Sequence, residues 1–364
     1  MFLKKHLYRM AAAALIATPV AALADPSYTV SFLPDGFDAR FLGNNGLVAG
    51  SILTGSGTAG AIYQGGSVTR YDSLGITGIF GVSSNGMFTG ALRTAGMPES
   101  HAFIYHDGAA QDLGTIGQQY AEGVAINAAG QMAGQWYNGP YGGGFLYSGG
   151  AITELGTLGG SPQTSVSAIN EAGVIVGDSL PSEGTYHAYM YSGGVMTDLG
   201  GTPDGFGSGA SGINNSGDIV GNIWDWAHNG PSHAFLYSGG ALHDLGTFGG
   251  LSAYAAGIND SGLVVGSVGA ATGGWGFLYN GGMAWDLNTL VSGADGWTIQ
   301  GASAINGTGQ ILASACDAAM ACRDVVLNPV PEPATYAMLL AGLAGLAIRR
   351  RHVLAADPSA LSVA

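Results

Sequence analysis

Apolar residues in this chain come in short runs that alternate with small or polar residues and stop at glycines. The sharpest phrase is ASGINNSGDIVG at 210–221, which returns as AAGINDSGLVVG at 255–266. Looser copies are RFLGNNGLVAG (40–50), FGVSSNGMFTG (80–90), GVAINAAGQMAG (123–134), VSAINEAGVIVG (166–177) and ASAINGTGQILA (302–313). Their turn glycines, Gly46, Gly86, Gly130, Gly173, Gly217, Gly262 and Gly309, fall 40 to 47 residues apart. Alternation on both sides of Asn-x-x-Gly reads as two half-buried strands joined by a tight turn, with glycine in the left-handed bulge position.

A second phrase follows each of the first six copies. It reads AIYQGGSVTRYDSLG, HAFIYHDGAAQDLG, GFLYSGGAITELG, HAYMYSGGVMTDLG, HAFLYSGGALHDLG and GFLYNGGMAWDLN in chain order. Gly-Gly or Asp-Gly between two apolar runs is again a hairpin signal. Each unit thus holds four short strands, and seven units in a row predict an all-β chain folded as a seven-bladed β-propeller. The seventh unit stops after three strands, while SYTVSFL (27–33) stands unpaired ahead of the first. Tyr28–Leu33 is therefore expected to complete the last blade and close the ring. The alternative is an open β-solenoid, which needs distinct polar caps.

Composition narrows the class further. With 47% hydrophobic and only 9% charged residues, the chain has enough apolar surface to build a core and is not disordered. The N-terminus has Lys4, Lys5 and Arg9, then AAAALIATPVAALA ending at Ala22-Leu23-Ala24, which is the layout of a secretory signal peptide over 1–24. The expected mature body is 25–330, with a sorting segment at 331–351 and an unstructured tail at 352–364. That body carries 22 acidic and four basic residues, a formal charge of −18. Such a surface repels nucleic acid and anionic membranes, and leaves cations, neutral glycans or no particular partner open.

The segment VPEPATYAMLLAGLAGLAIRRR joins Pro331-Glu332-Pro333 to an apolar stretch at 334–348 and then to Arg349, Arg350 and Arg351. Its 15-residue apolar stretch is shorter than the roughly 20 residues of a stable span, so it reads as a transient inner-membrane anchor with a basic stop. This three-part order resembles the PEP-CTERM sorting signal of Gram-negative bacteria. The resemblance implies processing by an exosortase at Pro331-Glu332-Pro333, delivery to the cell exterior and a link with exopolysaccharide. One departure is the tail HVLAADPSALSVA beyond the arginines. The repeats themselves resemble the extracellular HAF repeat, after His-Ala-Phe at 101–103 and 233–235. That resemblance implies an extracellular location and no particular chemistry.

Candidate chemistry is sparse. Cys316 and Cys322, the only cysteines, are expected to form a disulfide in an exported protein. His101, His187 and His233 open equivalent strands of different units and are too far apart to share a metal, so each is expected to brace a neighbouring loop. Asp112, Asp198, Asp244, Asp286 and Glu154 are expected as solvated charge on the outer rim. Glu122 is the carboxylate expected on an innermost strand. No nucleophile elbow, HExxH helix, phosphate loop or dinucleotide fingerprint occurs. The Asn-x-x-Gly turns lack the acidic ligands of calcium loops, so no metal site and no cofactor is expected.

The aromatic loops between second and third strands are the most suggestive feature. Trp136, Tyr137, Tyr141, Trp224, Trp226 and Trp275 would form platforms for sugar rings, unless they fold back onto their own units. The sequence thus predicts an exported, non-enzymatic surface protein with a structural or glycan-binding role. A glycan-active enzyme, a glycosidase or polysaccharide lyase working around Glu122, is the alternative. A calcium-stabilised adhesin is a third reading, and it requires a melting temperature that falls in chelator.

Overall fold

The Asn-x-x-Gly phrase folds as a two-strand corner, and the fifth unit shows how. Asn214 opens the turn, Gly217 takes a left-handed φ of 86°, and the strands Gly207–Ile213 and Ile219–Trp224 leave it antiparallel. The first strand bulges between Ala210 and Gly212, which pushes the Gly209 carbonyl toward Gly221. A Cβ at Gly221 would overlap that oxygen and the ring of Phe235, so the last glycine of the phrase is a close-approach glycine. His233–Ser238 and Ala241–Gly246 then complete a four-stranded antiparallel sheet in sequence order.

The computed structural model describes residues 27–330 except 56, 94, 95, 97, 183, 201–205, 225–229 and 272. The expected signal peptide at 1–24, the Pro-Glu-Pro segment, the apolar stretch with its arginines, the expected tail and Trp226 lie outside the described residues. Within them the chain is all-β, apart from two short helical turns at Asp72–Leu74 and Leu287–Leu290. Four-stranded sheets start at Phe37, Ile76, Gly207 and Ser252. Units three and four are joined into one larger sheet by a single parallel contact, Gly142 to Gln163. No helix of the described residues is long and apolar enough to cross a membrane.

Tyr28–Phe32 lies antiparallel to Cys322–Pro329, in register from Tyr28 opposite Pro329 to Phe32 opposite Val325. It is the strand beyond the three that the seventh unit supplies, and Val291–Ser292 runs parallel on its far side. Arg323 fastens its end, donating to the Leu33 carbonyl at 2.9 Å and pairing with Asp35 at 2.8 Å. Cys316 and Cys322 are disulfide-bonded across the adjacent hairpin, where they face each other in the ladder. Within it Asp317 Oδ1 accepts the N–H groups of Ala319 and Ala321, repeating the Asn-x-x-Gly turn with Met320 at the left-handed position, φ 63°.

No unit buries its own faces. Each apolar cluster spans a seam: Val220 and Ala234 of unit five pack with Ala253, Val264 and Phe277 of unit six. Val265 and Leu278 of unit six in turn pack with Ile299 and Ile311 of unit seven, and Tyr28 joins them. Leu312 and Val326 of unit seven pack with Phe37 and Val48 of unit one, with Leu33 between. The third-strand aromatics Phe103, Phe145, Tyr189, Phe235 and Phe277 are fully buried. This explains why an aromatic recurs at that point, after Ala102, Ala188 and Ala234 or after Gly144 and Gly276.

Candidate functional site

The three histidines are held by the aspartates eleven residues later. His101 Nδ1 lies 2.9 Å from Asp112, His187 2.9 Å from Asp198, and His233 2.8 Å from Asp244. Each aspartate also accepts the N–H of the glycine two residues on, at 2.7 Å in all three. The same three hairpins carry a register shift beside the histidine, whereas the outer hairpins of units one, three and six do not. These carboxylates are therefore not free rim charges, and the histidines brace their own hairpin. Asp286, where Trp275 replaces histidine, caps the helical turn after it by accepting the Asn288 N–H at 2.8 Å.

The clasp steers the chain into the next unit. Ile116 and Phe248 sit at left-handed φ values of 58° and 51°, unusual for such side chains. Phe248 packs on Phe277 and Tyr279, and Ile116 joins the core of unit three.

A second constellation is buried at the Asn-x-x-Gly turns. Asn127, Asn170, Asn214, Asn259 and Asn306 are all almost wholly buried. In each of the first four, Nδ2 donates to the carbonyl of the next residue in that series: Asn127 to Asn170, Asn170 to Asn214, Asn214 to Asn259 and Asn259 to Asn306. Asn306 donates to the Gly43 carbonyl at 2.7 Å, from unit seven to unit one. The following residues form a parallel set, in which the Ala128, Glu171, Asn215 and Gly307 N–H groups reach Glu171, Asn215, Asp260 and Asn44 side chains. These turns are thus locks between units. Among the described residues no group of three or more His, Cys, Asp or Glu side chains could hold a metal ion.

The aromatic loops divide. Trp136 is 9% exposed and belongs to the core shared by units two and three, its ring lying on Gly143. It is no platform, because alternation along Met132–Asn138 turns it inward while Tyr137 turns outward. Trp224 is half-buried against Gly207 and Gly209, and the indole nitrogens of both tryptophans are buried without a hydrogen-bond partner among the described residues. Trp275 is half-buried on the core of unit six. Tyr137 and Tyr141 remain 39% and 50% exposed, and Tyr120, opposite Tyr137 in the ladder, is 43% exposed.

Unit three therefore presents an open tyrosine–amide patch. Asn138 donates to Gln118 at 3.1 Å, Gly139 N–H to Gln119 at 3.1 Å, and the Tyr137 hydroxyl to Glu122 at 3.4 Å. Burial pushes the Glu122 carboxyl above its usual range, although the Tyr137 hydrogen bond and the Arg40 charge pull it down. Burial, with the Glu122 charge behind it, pushes the Tyr137 phenol up to about 12. Asp38, paired with Arg40 at 2.9 Å, also lies on a first strand, so Glu122 is not alone there.

An acid whose folded pKa lies above its unfolded one costs stability once it ionises, and costs nothing below the unfolded value. Glu122→Gln should therefore raise stability modestly at neutral pH, and the gain should vanish in acid below the ordinary glutamate range. Urea unfolding at the two pH values checks this, and a gain that persists in acid would contradict it.

A family model of the PEP-CTERM protein-sorting motif matches residues 329–351. No curated protein matches the chain. Among solved structures the chain is similar to TolB from Acinetobacter baumannii, at 13% identity and a TM-score of 0.40, covering 58% of this chain and 51% of that one. It thus spans about half the length of that protein. It is also similar to the β-propeller domain of the Trilobed protease from Pyrococcus furiosus, at 12% identity and a TM-score of 0.38, covering 72% and 95%. A gluconolactonase from Xanthomonas campestris is similar at 13% identity and a TM-score of 0.35, covering 63% and 79%. The C-terminal segment carries a PEP-CTERM sorting motif, which indicates export and sorting to the cell surface.

Proposed function

We propose that the chain is an exported, non-enzymatic β-propeller of seven four-stranded blades that binds exopolysaccharide at the cell surface. Closure by Tyr28–Phe32 is supported by its pairing with Cys322–Pro329, by the unit seven to unit one core and by the Asn306–Gly43 hydrogen bond. An open solenoid would have no reason to join its two ends. In this reading an exosortase of a Gram-negative cell processes the chain at Pro331-Glu332-Pro333, after transient anchoring through 334–348.

One observation carries the binding role: Tyr120 and Tyr137 stand exposed as a directly opposed pair on one face of the unit-three hairpin, beside Gln118 and Gln119, while Tyr141 lies opposite Asn138 on the other face. Rings of this kind stack on pyranose faces, and amides meet hydroxyls. In co-sedimentation with exopolysaccharide, the Tyr120→Ala, Tyr137→Ala double variant should bind about tenfold more weakly or worse, at about 0.5–1.5 kcal/mol per ring. Unchanged binding would remove the patch.

A second reading, a glycosidase or polysaccharide lyase, draws on the half-buried Glu122 with Tyr137 against it. It requires new reducing ends or unsaturated sugars that disappear in Glu122→Gln.

A further inference from the structure

Two clefts on this molecule are built by one rule. The first, beside His101, is lined by Glu99, Thr115, Gln118, Gln119 and Tyr120, at the seam between units two and three. The second, beside His233, is lined by Ser232, Thr247, Leu251, Ser252 and Tyr254, at the seam between units five and six. Both seams are pinned by the same backbone hydrogen bond at 2.8 Å, Ala121 to the Ser100 carbonyl and Ala253 to the Ser232 carbonyl. Thr115 and Thr247 occupy equivalent positions, each following an Asp-Leu-Gly that clasps the histidine. Each cleft also ends on an exposed tyrosine of the next unit's first strand, Tyr120 at 43% and Tyr254 at 42%. The two tyrosines are two residues apart in unit alignment and so project from the same face of the strand.

We propose that these clefts are equivalent sites for a neutral, polyhydroxylated chain, making the protein a bivalent cross-linker of polysaccharide. The inference rests on the glycan-binding reading above and extends it to a second site. Among the described residues neither cleft is lined by lysine or arginine, so neither offers a counter-charge to an anionic ligand. Both linings supply an aromatic face, hydroxyls and an imidazole, and the first adds the Gln118 and Gln119 amides and the Glu99 carboxylate, all of which suit sugar hydroxyls. The aspartate clasp fixes Nδ1 of each histidine and leaves Nε2 as the ring's remaining polar atom in a side chain that lines the cleft. Two sites on one chain gain avidity only on a ligand long enough to reach both, or by bridging two chains. Bridging is what a surface matrix component would do.

The test is calorimetry of the purified full-length protein with neutral hexasaccharides of glucose, mannose and galactose, with hyaluronan as the acidic control. Wild type should take up two molecules of one neutral sugar per chain, ignore hyaluronan, and cloud the corresponding polymer. Tyr254→Ala and Tyr120→Ala should each leave one site of unchanged affinity and abolish clouding, and the double variant should bind nothing. Tyr254→Trp should keep both sites, which separates loss of stacking from loss of fold. A single site per chain, unaffected by Tyr254→Ala, would overturn the bivalent assignment while leaving the unit-three patch standing. Wild type that binds none of the neutral sugars would overturn both.

Discussion

Replacing Asn259 with alanine should cost the protein about 2–4 kcal/mol of stability, because it strands several buried backbone groups at once. Asn259 Oδ1 accepts the N–H groups of Ser261 and Leu263 at 3.1 and 3.0 Å, and Nδ2 donates to the Asn306 carbonyl at 3.0 Å. The side chain is only 5% exposed, so water cannot replace these partners. Asn259→Asp keeps both acceptor contacts but loses the donor and sets a carboxylate against the Asn306 carbonyl, so it should be nearly as harmful. Asn45→Ala removes only an exposed contact to the Leu47 N–H and should cost little. Chemical unfolding of the three variants ranks them. If Asn259→Ala falls within about 0.5 kcal/mol of wild type, the turn residues are not locks between units.

Deleting residues 27–33 should be more damaging still. Tyr28 and Leu33 are each 2% exposed, and burying such side chains is worth about 1.5–3 kcal/mol apiece. The deletion also removes the partners of Arg323 at Leu33, and leaves Cys322–Pro329 as a bare sheet edge. Exposed edges pair with other chains. The truncated protein should therefore melt well below wild type and associate in a concentration-dependent way, readable by light scattering. A monomer of unchanged melting temperature would mean that the strand is an ornament on a body complete without it.

The architecture was legible because repetition multiplies a weak signal. One Asn-x-x-Gly between alternating runs is a turn among many, but five, with Gly-Asn-Asn-Gly and Ser-Ser-Asn-Gly in the other two units, at a near-constant period define strands, sheets and the odd strand at Tyr28. The His–Asp clasp was missed because each residue was weighed alone, as a loop brace and as solvated charge. Their fixed separation of eleven, found only where Asp-Leu-Gly follows His-Ala-Phe or His-Ala-Tyr, was the available signal. The asparagines were read as turn formers, which they are. Nothing local says that Nδ2 reaches the next unit, because that contact spans 43 to 47 residues within the chain.

Trp136 and Tyr137 show the limit most simply. The two are adjacent, and a strand sends neighbours to opposite faces, so a one-residue error in register exchanges a core residue for a surface one. The cluster of Tyr120 with Tyr137 depends on ladder register, Tyr120 opposite Tyr137, which the loop sequence alone does not contain.

Ring closure by the N-terminal strand is best tested with the pair Thr29→Cys and Asn328→Cys, since these residues face each other in the antiparallel ladder. Directly opposed positions fall within the Cα separations that a disulfide spans, about 4.4–6.8 Å. Under mild oxidation the double variant should form an intramolecular 29–328 bond in the monomer, mapped by mass spectrometry beside the native Cys316–Cys322 bond. Either single variant should keep a free thiol. Free thiols in the double variant, or covalent dimers in place of the internal bond, would contradict closure.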